Sequence, residues 1–231
     1  MGKNYAVIVA AGKGARMGNS LSKQFVEIHN KPLLHYTLKA FMDCNIIDNI
    51  VLVVSKQEMD FCRTEILYKY NFEERLILVE GGTQRQESVY NGLKVINNCD
   101  IVLIHDGARP MVNKRIIEEG IKYANIYGAC ACGVRPKDTI KVKDHKGFSV
   151  STLDRDNLIA VQTPQCFKYN IIMECHEKLK MQKVTVTDDT MTVGKYGYKV
   201  FLYEGDYENI KITTPEDLLI VERLLEKKFE L

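Results

Sequence analysis

Residues 5–10, 50–54, 76–79, 101–104 and 129–134 are short apolar runs rich in Val and Ile, and longer amphipathic stretches separate them. In these runs apolar side chains do not alternate with polar ones, so each predicts a strand covered on both faces. Residues 33–44, 58–70, 87–96 and 114–127 have helical spacing, and Pro32 suits the first turn of the first helix. A β-α-β-α alternation of this kind forces a mostly parallel sheet with helices on both faces, because each strand must return by a right-handed crossover. The expected fold is α/β and Rossmann-like. Crossovers of one hand also put every loop that follows a strand along one sheet edge. Gly12, Gly81-Gly82 and Asp106, distant in sequence, are therefore expected to share a cleft.

The alternation stops after Arg135-Pro136. Residues 139–142 and 148–152 flank Asp144-His145-Lys146-Gly147, a hairpin turn signal. A helix around 171–180, a strand at 199–203 and a helix over 215–227 follow. Thr214, Pro215 and Glu216-Asp217 form a start signal for that last helix. No repeat or linker divides the chain. The expectation is one domain, 1–231, with a projecting β-hairpin arm at about 136–157.

Composition narrows the function. With 32 Lys+Arg against 30 Asp+Glu in 231 residues, the net charge is +2. That balance argues against a nucleic-acid binder working through a broad basic surface. No apolar run approaches the ~18 residues of a membrane span. The start, Met1-Gly2-Lys3-Asn4, lacks a signal peptide's apolar stretch, which predicts a cytoplasmic protein. The 7 cysteines include no Cys-x-x-Cys pair, and Cys130 and Cys132 would share one face of a strand; reduced core thiols are expected. The 5 histidines show no zinc-ligand spacing.

Four segments carry chemistry. The first strand runs into Ala10-Ala11-Gly12-Lys13-Gly14-Ala15-Arg16-Met17-Gly18, with Lys23-Gln24 soon after. Glycines there expose a row of backbone N–H groups that suits phosphate oxygens, and Arg16 and Lys23 add positive charge. The spacing is neither that of a P-loop nor that of a dinucleotide fingerprint, and Ser55-Lys56 stand where an acidic ribose ligand is needed. Gly81-Gly82-Thr83-Gln84-Arg85-Gln86-Glu87-Ser88 permits a flat ligand close to the backbone, with Ser88 able to hydrogen-bond a base edge. His105-Asp106-Gly107-Ala108-Arg109-Pro110 sets a lone carboxylate at a strand end. One carboxylate suffices for Mg²⁺ when phosphates complete the coordination, and Arg109 would orient Asp106 or touch phosphate. In Ile210-Lys211-Ile212, alternation points Lys211 away from two isoleucines, just ahead of a capped helix. Taken singly, each segment also reads as an ordinary turn or an exposed charge.

As an ordered set, with Asp138-Thr139, Thr152-Leu153-Asp154-Arg155, Gln162-Thr163-Pro164-Gln165 and the run from Asn209 to Asp217, these segments resemble the 2-C-methyl-D-erythritol 4-phosphate cytidylyltransferases from first strand to last helix. The resemblance implies a nucleotidyltransferase fold and transfer of CMP from CTP to 2-C-methyl-D-erythritol 4-phosphate, with pyrophosphate released, in non-mevalonate isoprenoid biosynthesis. It assigns Arg16, Lys23 and Lys211 to catalysis on the triphosphate. Ala10, Ala11, Gly12, Lys13, Gly14, Gly82, Thr83, Ser88 and Asp106 would bind the nucleotide, with Gly82 and Ser88 reading cytosine. Thr83 stands where some members have Asp. Asp106 would hold Mg²⁺, supported by Arg109, and Thr139 and Arg155 would bind the acceptor's phosphate from the arm of a second subunit. The implied assembly is a homodimer acting on CTP and a polyol phosphate, with no nucleic acid or membrane as partner. Three alternatives stay open at the level of sequence: a ribitol 5-phosphate cytidylyltransferase, a metal-dependent glycosyltransferase reading Asp154-Arg155-Asp156 as its metal motif, and a non-catalytic nucleotide-binding protein.

Overall fold

The computed structural model describes residues 2–12 and 22–229. Strand β1 (Asn4–Val9) leads, past a 3₁₀ turn at Lys23–Phe25, to a small hairpin of β2 (Glu27–Ile28) and β3 (Lys31–Pro32), then α1 (Leu33–Met42) and β4 (Asn49–Val54). Next come α2 (Met59–Phe61), β5 (Leu76–Glu80), α3 (Arg85–Lys94), β6 (Ile101–Asp106), α4 (Lys114–Tyr127) and β7 (Ala129–Val134). The hairpin of β8 (Lys141–Lys143) and β9 (Ser149–Thr152) precedes β10 (Ala160–Lys168), α5 (Tyr169–Gln182), α6 (Asp189–Lys195), β11 (Phe201–Glu204) and α7 (Pro215–Phe229).

Seven strands form one sheet in the order β11-β7-β10-β6-β1-β4-β5. Only β10 runs against its neighbours; the other pairings are parallel, as the alternation requires. Strand β1 explains the unbroken apolar runs. Its Ala6 and Ile8 join Leu52, Leu103 and residues of α1 and α4 in one core layer. Tyr5 and Val7 join Val53, Ile104 and residues of α3 and α5 in the other. A third cluster packs Ile212, Val221 and Leu225 against Leu33, Tyr36 and Met111, and so docks α7 and the segment before it on α1.

The structure departs from sequence expectation in three places. Strand β5 is only partly buried, because it forms the sheet edge. The helix expected over 58–70 is a 3₁₀ turn, the short α2 and a π-helical stretch, Cys62–Tyr68. The periodicity of the sequence did not predict β10 or α6. Around Lys211 the expected alternation holds without a strand: Ile210 and Ile212 pack into the third cluster, Ile212 donates its N–H to the Ala108 carbonyl at 2.9 Å, and Lys211 faces the other way. All seven cysteines are free thiols.

Candidate active site

The carboxyl ends of β1, β5 and β6 open into a cavity of about 170 Å³. Register brings these loops together, since Val9 of β1 pairs with both Val53 and Asp106. Ala10, Ala11, Gly12, Lys23, Gly82, Thr83, Ser88, Asp106 and Lys211 all line it. Lys13, Gly14 and Arg16 lie outside the described residues. The expected convergence of three strand-end loops is therefore present, with the segment before α7 closing one side.

Each wall is held by specific contacts. Gln24 is buried and donates from Nε2 to the Ala10 carbonyl at 2.5 Å, fixing the end of β1. Lys23 reaches the Ile212 carbonyl at 2.7 Å, which ties the first loop to the segment carrying Lys211. On the opposite wall, Ser88 Oγ accepts from the Gly82 N–H and donates to the Gln84 carbonyl, both at 3.1 Å. The Thr83 hydroxyl and N–H both turn to Glu87 Oε2 at 2.7 Å, so its side chain serves the capping box of α3. The glycines sit where other residues cannot. A Cβ at Gly81 would lie 2.6 Å from the Ala11 Cβ, and one at Gly82 would lie 2.3 Å from the Glu87 Cβ.

Asp106 is the electrostatic centre. Its Oδ2 meets the Lys211 ammonium at 2.7 Å and its Oδ1 meets Arg85 Nε at 3.2 Å. Arg109 Nε stands 3.8 Å away. Burial opposes ionisation of Asp106, but the Arg85, Lys211 and Arg109 cations outweigh it and hold the carboxyl well below the usual carboxylate range. The Asp106 N–H donates to Thr163 Oγ1 at 3.1 Å, and that oxygen also contacts His105 Nδ1 at 3.0 Å. His105 is fully buried, and burial lowers its pKa to about 4. It stays neutral, as support for the strand end.

Not every expected residue lines the cavity. Arg109, expected to orient Asp106 or touch phosphate, lies outside the lining; its Nη1 donates to the Asn209 carbonyl at 2.7 Å, which holds it behind Asp106. Thr139 and Arg155, expected to serve a partner's site, lie outside the lining too. Both are exposed on the arm, where Arg155 donates to the Lys137 carbonyl at 2.8 Å. One addition is Arg85, a further cation of the lining that the sequence analysis left out of the site. Its signal was available: an arginine at the first position of a helix that follows paired glycines.

The chemistry open to this cavity follows from its lining. Backbone at Ala11 and Gly12 with three cations, Lys23, Arg85 and Lys211, faces one carboxylate. That composition suits a polyanion such as a triphosphate. Among the described residues no group of three or more His, Cys, Asp or Glu is placed to hold a metal by itself. No described helix is long and apolar enough to cross a membrane.

Comparison with known proteins points the same way. Residues 5–227 match the family model for 2-C-methyl-D-erythritol 4-phosphate cytidylyltransferase. A protein of that description from Clostridium kluyveri is 58% identical over 224 residues, covering 97% of each chain. One from Clostridium perfringens is 58% identical over 225 residues, covering 97% of this chain and all of its own. The structure superposes on 4-diphosphocytidyl-2C-methyl-D-erythritol synthase from Anaerococcus prevotii with a TM-score of 0.86 at 32% identity, covering 97% and 96% of the two chains. The Francisella tularensis 2-C-methyl-D-erythritol 4-phosphate cytidylyltransferase gives 0.81 at 29% identity, covering 96% and 99%.

Proposed function

The chain belongs to the 2-C-methyl-D-erythritol 4-phosphate cytidylyltransferase family, and from that premise we propose that the cavity at the ends of β1, β5 and β6 is its CTP site. The enzyme transfers CMP from CTP to 2-C-methyl-D-erythritol 4-phosphate, a step of non-mevalonate isoprenoid biosynthesis. One observation carries the site assignment: Lys23 and Lys211, 188 positions apart, line a single cavity with Asp106 and the glycine turns.

The acceptor's phosphate oxygen is the nucleophile, and it is already ionised near pH 7. No general base is needed, which fits a site whose one described histidine neighbour, His105, is buried and neutral. The barrier is instead the approach of two anions and the extra charge on the α-phosphorus. Lys23 and Lys211 supply fixed positive charge at that point, and the backbone at Ala11 and Gly12 receives the phosphates. Arg16, Lys13 and Gly14 complete this reading of the loop. Lys211 moves its ammonium from Asp106 to the α-phosphate as the nucleotide enters. Gly82 and Ser88 face the base.

A divalent ion fits the lining in one way only. Among the described residues Asp106 is the single carboxylate of the lining, so it would hold Mg²⁺ jointly with phosphate oxygens and water. Bound there, the ion would neutralise charge on the triphosphate and the leaving pyrophosphate.

The whole chain, 1–231, acts in this reading as one domain with an arm at about 136–157, in the cytoplasm. The arm supports a homodimer. Among the described residues, strands β8 and β9 pair only with each other; both are exposed throughout, and Phe148, at 70% exposure, and Val150 present apolar surface. Thr139 and Arg155 then reach the acceptor's phosphate in the partner's site. The test is pyrophosphate release from CTP and Mg²⁺, with 2-C-methyl-D-erythritol 4-phosphate and ribitol 5-phosphate assayed side by side. Turnover on the first is expected; turnover confined to the second overturns the acceptor assignment.

A further inference from the structure

Arg85 is held at two points, and only one of them is in the cavity. Its Nε meets Asp106 Oδ1 at 3.2 Å, while its Nη1 donates to Asp189 Oδ2 at 2.7 Å. Asp189, the first residue of α6, is 1% exposed and does not line the cavity. Its other oxygen contacts His176 Nε2 at 3.2 Å, and its own N–H donates to Gln165 Oε1 at 2.9 Å. His176 and Gln165 are both buried, so β10 holds the backbone of Asp189 and α5 holds its carboxylate. The segment ahead of α6 is pinned to α3 by Gln86, the neighbour of Arg85. Its Nε2 donates to the Val184 carbonyl and its Oε1 accepts from the Val186 N–H, each at 3.0 Å.

A guanidinium beside a lone carboxylate tends to bind it fork to fork, through two parallel N–H groups that occupy both oxygens. Here the fork is divided between two carboxylates. We propose that Asp189 is a positioning residue for the nucleotide site: by anchoring one end of Arg85, it keeps that guanidinium to one oxygen of Asp106, leaves the other for Lys211 in the nucleotide-free site, and holds the Arg85 cation in the cavity wall for the incoming phosphates. Asp189 thus acts on CTP binding through Arg85, from behind the cavity wall, without touching the substrate. The inference rests on the CTP-site reading above.

The test is calorimetric titration of Mg·CTP into wild type, Asp189→Asn, Arg85→Lys and the double variant, with steady-state KM values for both substrates. Asparagine keeps one oxygen to accept from Arg85 and turns its NH2 toward His176 Nε2, but removes the charge that holds the guanidinium. Asp189→Asn should weaken CTP binding about tenfold, while the KM for the polyol phosphate stays within about twofold. The double variant should bind CTP no more weakly than Arg85→Lys, because Asp189 has no other route to the nucleotide. Fully multiplicative losses in the double variant, or wild-type CTP affinity in folded Asp189→Asn, overturn the proposal. So does an equal loss for both substrates, the mark of a purely structural role. If Asp189→Asn does not fold, Asp189→Glu takes its place; it keeps the charge but displaces the carboxylate in a filled site, and the same CTP-selective loss is expected, unchanged affinity counting against. Failure of the wild type to bind CTP would instead remove the active-site reading itself.

Discussion

Replacing Lys211 by alanine separates what this side chain does for the fold from what it does for the reaction. Its ammonium lies 2.7 Å from Asp106 Oδ2, and its side chain is 39% exposed. Only the lysine end is open to solvent, the Asp106 side chain being 11% exposed, so the pair sits at the upper end of the range for exposed pairs, about 1 kcal/mol. Its removal does not strand the carboxylate, since Arg85 and Arg109 remain within 4 Å of Asp106. For a chain of this size that is a fall in Tm of about 2–4 °C or less. The catalytic role proposed for it is larger. A fixed charge aimed at the extra negative charge of a five-coordinate phosphorus is worth about 3–4 kcal/mol, a hundredfold or more in turnover. The two effects differ enough to be read separately. Tm is measured by circular dichroism, since the chain has no tryptophan, and kcat by pyrophosphate release at saturating CTP and acceptor. A near-wild-type kcat would refute the reasoning. A drop in activity that merely follows lost folded protein would refute it too.

Four further variants have expected outcomes. Gly81→Ala puts a Cβ 2.6 Å from the Ala11 Cβ and 2.9 Å from Ser88 Oγ; the two walls must part, costing about 1–3 kcal/mol and raising the KM for CTP about tenfold or more. His35 is buried, and burial followed by the Lys31 and Lys39 charges lowers its pKa from 6.5 to about 4. Between pH 6.5 and 4 the unfolded chain therefore binds a proton that the native state refuses, so stability falls as pH falls through that window. His105, also lowered to about 4, contributes to the same fall, so His35→Leu should reduce this slope without abolishing it in urea unfolding followed by circular dichroism. It should also raise stability near pH 7, because the native Nδ1 is buried without a hydrogen-bond partner; an unchanged slope would contradict the assignment. On the arm, Phe148→Asp should shift the protein to monomer in sedimentation velocity, while Arg155→Ala should raise the acceptor's KM with the KM for CTP unchanged. A change confined to CTP would contradict the arm's role.

The parts of the site that sequence made legible are local. Glycines after a strand, a carboxylate at the end of β6 and a lysine ahead of a capped helix each follow from neighbours a few residues away, and the crossover rule then gathers them at one edge. Strand β10 shows where such reading fails. Its centre, Gln162-Thr163-Pro164-Gln165, is polar and contains a proline, so it reads as a loop. It is nonetheless a central strand, because distant partners satisfy it. Gln162 donates to the Asp206 carbonyl at 2.8 Å, Thr163 meets His105, and Gln165 holds Asp188 and Asp189. Pro164 falls within the irregular register between Val161 and Gln165, where no ladder bond is lost.

What the residues dictated unaided is therefore a mostly parallel sheet and the edge at which its glycine turns and Asp106 gather, since periodicity and backbone freedom are properties of short stretches. Only the tertiary structure decided that Arg85 is shared between Asp106 and Asp189, that Arg109 turns to the Asn209 carbonyl, and that Lys23 reaches across to Ile212. The choice of partner for a long charged side chain depends on which remote carboxylates and carbonyls come within about 3 Å, and no local pattern encodes that distance.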